Sequence, residues 1–114
     1  GDIVEQGADE AKGHSELGKM LKKANFDRYI LVGRRTQKHT YPQLDKTASV
    51  TFLHPKDAAM YLLSEITGQE TILFKGSQYL EGVVEALLAH KKDTKTLPRQ
   101  DVAAKKRRQK WGMI

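Results

Sequence analysis

Apolar and polar positions along the chain change period several times. Between residues 8 and 24, Leu17, Met20, Leu21 and Ala24 recur at i, i+3, i+4 and i+7 with lysines on the other face, which predicts an amphipathic helix. "RYILVG" (28 to 33) follows as a short apolar run ended by glycine, and "VTFL" (50 to 53) and "TILF" (71 to 74) repeat that form. Such runs are continuous rather than alternating, as expected of strands covered on both faces. Pro55 stands where a first helical turn belongs, and Ala59, Leu62, Leu63 and Ile66 carry a second helical stripe. Leu80, Val83, Val84, Leu87 and Leu88 predict a third helix. Residues 33 to 48 contain Pro42, which forbids a long helix through them, so they read as a loop with at most a short helical turn.

Strands separated by helices of this kind predict right-handed crossovers and a mainly parallel sheet with helices on both faces, an α/β fold. The expected organisation is an α/β domain over residues 1 to 92, followed by a basic, helical tail over residues 93 to 114. The opening Gly1-Asp2-Ile3 reads as the middle of a longer protein, with the first strand of the sheet expected just upstream of Gly1.

Composition narrows the function classes. The chain has 114 residues, enough for one modest core, and no apolar run approaches the roughly 20 residues that cross a bilayer. Cysteine is absent, which excludes disulfides and thiolate metal sites and suits a reducing cytoplasm. The four histidines are scattered, with no pair at ligand spacing, so no structural metal site is expected. The net charge of +6 suggests nucleic acid until it is located. Residues 91 to 110 hold nine Lys or Arg and two Asp, a balance of +7, which leaves the rest of the chain near −1. The basicity belongs to the tail.

Four stretches carry candidate chemistry. In "GHSELGKM", Gly13, Gly18 and Lys19 match the phosphate-loop spacing up to its last position. The match sits inside an amphipathic helix instead of after a strand, and Met20 offers no oxygen to Mg²⁺, so it is not taken as a nucleotide loop. His14, three residues before Leu17, reads as a packed or capping histidine rather than a catalytic one. No GxGxxG fingerprint is present, so the sheet is no argument for a dinucleotide. The turn Lys75-Gly76-Ser77, between "TILF" and the third helix, could hold a ligand at the carboxyl end of a strand. There Lys75 offers a cation, Gly76 a close backbone approach, and Ser77 a helix cap or a donor to an oxyanion. The plain alternative is an ordinary turn with Ser77 capping and Lys75 solvated. "GDIVEQG" at the start places Asp2 and Glu5 between two glycines, on what would be the same rim.

Taken together, "GDIVEQG", the helix with "HSELG", "ILVG", and "ILFKGS" before "EGVVEALL" resemble the carboxy-terminal domain of the Mur ligases. They are most like the branch that adds D-alanyl-D-alanine to the UDP-N-acetylmuramoyl tripeptide. The resemblance spans most of residues 1 to 90. It implies a Rossmann-like three-layer domain that closes over a central ATP-binding domain and holds the incoming amino-acid or dipeptide substrate. It further implies a cytoplasmic ligase of peptidoglycan precursors in which ATP, with Mg²⁺, phosphorylates the tripeptide carboxylate and the dipeptide amine then attacks. ATP and Mg²⁺ would be bound mainly by the central domain. By residue, Asp2 and Glu5 match the first loop and would steer the dipeptide ammonium. Lys75, Gly76 and Ser77 match the second and would orient the dipeptide or stabilise charge at the acyl phosphate. Gln6 replaces the usual leucine, and Gln78 stands where the family often has arginine, which bears on the identity of the added substrate. The implied partners are the UDP-linked muramoyl peptide, D-alanyl-D-alanine, and the amino-terminal and central domains; no catalytic residue is assigned within the chain.

Two other readings remain open at this level. "KKRRQKW" could bind nucleic acid, its cations meeting phosphates and Trp111 stacking on a base. Against it, the cations are confined to one terminal segment, and a solvated helix is the commoner fate of such a run. The third possibility is a non-catalytic interaction domain with the same fold.

Overall fold

A computed structural model describes residues 1 to 76 and 80 to 113. The described chain is mixed α/β and divides into two units, Gly1–Leu53 and His54–Ile114.

The first unit is built on a parallel pair of strands. After a 3₁₀ turn at Gly7–Asp9, helix α1 runs from Glu10 to Ala24 and ends at Asn25, whose left-handed φ of 53° closes the last turn behind Lys22 and Lys23. Strand β1 (Tyr29–Val32) pairs with β2 (Ser49–Phe52) in the register Tyr29 with Ser49 through Val32 with Phe52. Both strands and their parallel direction match the sequence expectation. Tyr29 ties helix to strand: its hydroxyl donates to the Leu21 carbonyl at 2.8 Å and accepts from the Phe26 amide at 3.0 Å. Tyr29, Leu31 and Leu44 form the buried core, with Leu21, Tyr41 and Ala48 packed against it.

The buried face of α1 differs from the expected stripe. His14 and Gly18 are buried, whereas Met20 is 67% exposed and Ala24 is also exposed. Gly18 brings the helix against the next segment so closely that a β-carbon there would stand 2.7 Å from the Thr40 carbonyl oxygen. Backbone contact through a bare glycine thus joins the side-chain contact that Leu21 makes with the core.

Residues 33 to 48 are more ordered than a loop. Arg34 and Arg35 begin a helical stretch that continues as a π-helical turn over Thr36–Thr40 and a 3₁₀ turn over Tyr41–Gln43. Pro42 sits in the first turn of that last piece, where its missing amide costs nothing.

In the second unit, α2 spans Pro55–Glu65, with Pro55 in its first turn as expected, and buries Pro55, Ala58, Ala59 and Leu62. Helix α3 spans Glu81–Ala86 and buries Gly82 and Val83. A 3₁₀ segment at Lys91–Thr96 leads to α4 (Val102–Lys110), capped by Asp101, whose carboxylate accepts the Ala104 amide at 3.0 Å.

Two expectations fail here. Residues 71 to 74 form no strand: Ile72 is 37% and Leu73 73% exposed, and the described residues of this unit offer no second strand to pair with. An unpaired strand leaves its backbone groups unmatched, and an apolar run cannot supply the partner itself. The basic segment, in turn, is helical as expected but is no solvated appendage. Ala104 and Arg108 are buried, Arg107 pairs with Glu81 at 3.2 Å, and Arg108 lies 3.3 Å from Glu85.

Candidate functional site

Parallel pairing decides where the first loop goes. The amides of Tyr29 and Gly33 donate to Ala48 and Phe52 on the β2 side, so the residues between them in alternation point to the opposite edge. On that edge the Asp2 amide donates to the Val32 carbonyl at 3.2 Å. "GDIVEQG" therefore crosses the carboxyl end of β1, on the edge away from β2.

Within it, Asp2 is buried and committed to backbone. Its carboxylate accepts the Thr36 amide at 2.8 Å and the Arg35 amide at 3.2 Å, with the Arg35 guanidinium 3.6 Å away. These amides open the helical stretch after β1 and would otherwise lack acceptors. Arg35 is shared with Glu10, whose carboxylate accepts from its Nε. That hydrogen bond is the main reason the guanidinium is held above its ordinary pKa. One carboxylate from the loop, one from α1 and a guanidinium from the β1–β2 connection thus meet in one cluster. The sequence reading found Asp2 but not Arg35 or Glu10, because their convergence depends on contacts 33 and 25 positions apart.

His14 clamps the same loop. Its Nδ1 donates to the Glu10 carbonyl at 2.8 Å, and its Nε2 accepts the Ile3 amide at 3.1 Å. Both ring nitrogens are used and the side chain is fully buried, so the packed reading of His14 holds. Glu5 differs from Asp2: it is exposed and has a φ of 63°. A left-handed glutamate is uncommon. Beside it, Gln6 Oε1 is buried with no hydrogen-bond partner among the described residues.

Of the second candidate loop, Lys75 and Gly76 are exposed, and they follow the extended stretch that forms no strand. Ser77 lies outside the described residues. The first loop belongs to one unit and Lys75 to the other.

The phosphate-loop spacing at Gly13 to Lys19 forms no loop. Gly13 to Lys19 are helical, with Gly18 closed off by Thr40 and Gln43, so their amides cannot converge on a phosphate. Among the described residues no three His, Asp or Glu side chains come together as metal ligands. Among them, too, no helix is long and apolar enough to cross a membrane. In comparisons with known proteins, no family model matches the chain, and no curated protein or solved structure matches it.

Proposed function

We propose that this chain is the carboxy-terminal, substrate-binding domain of a cytoplasmic, ATP-dependent Mur-type ligase that joins D-alanyl-D-alanine to UDP-N-acetylmuramoyl tripeptide. In this reading the parallel β1–β2 pair belongs to the family's Rossmann-like three-layer sheet. The observation that carries the reading is the course of "GDIVEQG" across the carboxyl end of β1, where an open α/β sheet takes its ligands.

The chain's own contribution is positioning. Amide formation needs the dipeptide amine held in line with an activated carbonyl carbon, and holding it there removes much of the entropic barrier. Asp2 shapes the loop from beneath, since its carboxylate is occupied by the Arg35 and Thr36 amides. Glu5, exposed, is the carboxylate that meets an ammonium. The nucleic-acid reading is not favoured, because Arg107 and Arg108 are engaged by Glu81 and Glu85.

The test is a titration of the chain with D-alanyl-D-alanine, and separately with L-alanyl-L-alanine, followed by amide chemical shifts. Saturable shifts at Glu5 and Gln6 with the D,D form only are expected. Glu5→Gln should weaken them while changing unfolding stability by about 0.5 kcal/mol or less, as for an exposed side chain. No shifts, or equal shifts with both stereoisomers, would overturn the proposal.

A further inference from the structure

The second unit holds a cavity of about 430 Å³ lined by Glu85, Thr94, Lys95, Gln100, Lys105 and Arg108. That volume lies within the range of small-ligand sites, roughly 300 to 1,000 Å³. Among the lining residues are three cations and one carboxylate, and they come from three separate segments: α3, the 3₁₀ turn at Lys91–Thr96, and α4 with the turn before it. Arg99, at a φ of 61°, turns the chain between the last two.

Arg108 organises the cavity. Only 4% exposed, it donates from Nη1 to the Arg99 carbonyl at 3.2 Å and from Nη2 to Gln100 Oε1 at 3.4 Å. Its Nε lies 3.3 Å from Glu85 Oε2, yet the two are out of line, and each is buried without a hydrogen bond among the described residues. Coulomb attraction offsets the Glu85 charge against that of Arg108. The charge left over is that of Lys95 and Lys105, both exposed and able to swing inward. Thr94 adds a hydroxyl and Gln100 an amide.

The geometry points to an anion site for a phosphate group, free or as a monoester, held by Lys95 and Lys105 with Thr94 and Arg108 behind them. A phosphate presents several acceptor oxygens to converging donors, whereas a carboxylate has two. The inference does not rest on the ligase reading: its residues lie apart from "GDIVEQG" and Lys75 in sequence, and either can fail alone.

The experiment titrates the full chain with inorganic phosphate and with phenyl phosphate at constant ionic strength, reading the amide shifts of residues 94 to 105 and the melting temperature. Saturable shifts centred on Thr94, Lys95, Gln100 and Lys105 are expected with at least one of the two probes. The variant Lys95→Ala/Lys105→Ala, altered at exposed positions only, should melt as the parent does and bind at least about tenfold more weakly, as for the loss of charge-assisted contacts. Shifts that never saturate, that chloride reproduces, or that survive in the double variant would overturn the assignment.

Discussion

The carboxylate of Asp2 lies directly over the bare α-carbon of Gly33: a β-carbon there would stand 2.3 Å from Asp2 Cγ. Gly33 also has a φ of +122°, a conformation that other residues rarely adopt. Gly33→Ala should therefore cost more than about 2 kcal/mol, from backbone strain together with displacement of a buried carboxylate. Urea unfolding measures it, and a variant within 0.5 kcal/mol of the parent (the ordinary range of a surface change) would contradict the packing described.

Gly18→Ala tests a competition. Helix propensity alone favours alanine by about 1 kcal/mol in the interior of α1. The new methyl group would meet the Thr40 carbonyl oxygen at 2.7 Å and the Gln43 side chain at 2.8 Å. A side chain can move aside, but backbone held by the Thr40 hydroxyl's bond to the His14 carbonyl at 2.9 Å cannot easily do so. Overpacking should win, with a net loss of about 1 to 2 kcal/mol. A stabilised variant would show that α1 and the π-helical turn are less closely packed than this.

Glu70 sets an acid-side dependence. Its carboxylate accepts the amides of Thr67 and Gly68 and the Thr67 hydroxyl, all within 3.0 Å. The Thr67 backbone bond leads in lowering its pKa from 4.5 to about 2. A folded-state pKa below the unfolded one stabilises above the unfolded value, and that contribution is lost as pH falls from about 4.5 toward 2. Carboxyl NMR should show Glu70 titrating near the lower limit, and Glu70→Gln should flatten that part of the stability profile. Titration near 4.5 would mean that the turn does not hold its carboxylate in solution.

Arg108 links Arg99, Gln100 and Glu85 from a buried position, so its removal should be felt well beyond its charge. Arg108→Ala leaves the Glu85 carboxylate, 18% exposed, without its cation, at an expected cost of about 3 kcal/mol. Pairing it with Glu85→Ala should restore part of the loss, a non-additivity that a double-mutant cycle measures. Deleting residues 99 to 114 should unfold the second unit cooperatively, as read by the loss of helical circular dichroism. Survival of that signal would return the basic segment to a dispensable tail.

The elements whose cause is local could be read from the residues. β1 and β2, the start of α2 at Pro55 and the helicity of 10 to 24 each follow from a run, a period or a fixed φ within a few positions. The misplacement of "GHSELGKM" for a phosphate loop was legible in the same way, since an amphipathic period continues through it. Of the candidate site, Asp2 and Glu5 stood out by their flanking glycines, but nothing local separated a buried carboxylate from an exposed one.

Tertiary structure decided the rest, because the deciding partner was distant. Whether 33 to 48 coil or turn into helix depends on acceptors for the Arg35 and Thr36 amides, and these come from Asp2, 33 and 34 positions away. Whether "TILF" becomes a strand depends on a neighbouring ladder, which hydrophobicity within the run cannot provide. Whether Arg107 and Arg108 face solvent depends on Glu81 and Glu85, which a charge count along the chain assigns to another segment. Apolar period and turn chemistry act over a few residues, so what they control can be read along the chain; hydrogen-bond satisfaction and charge pairing act through space, and only the folded chain brings those groups together.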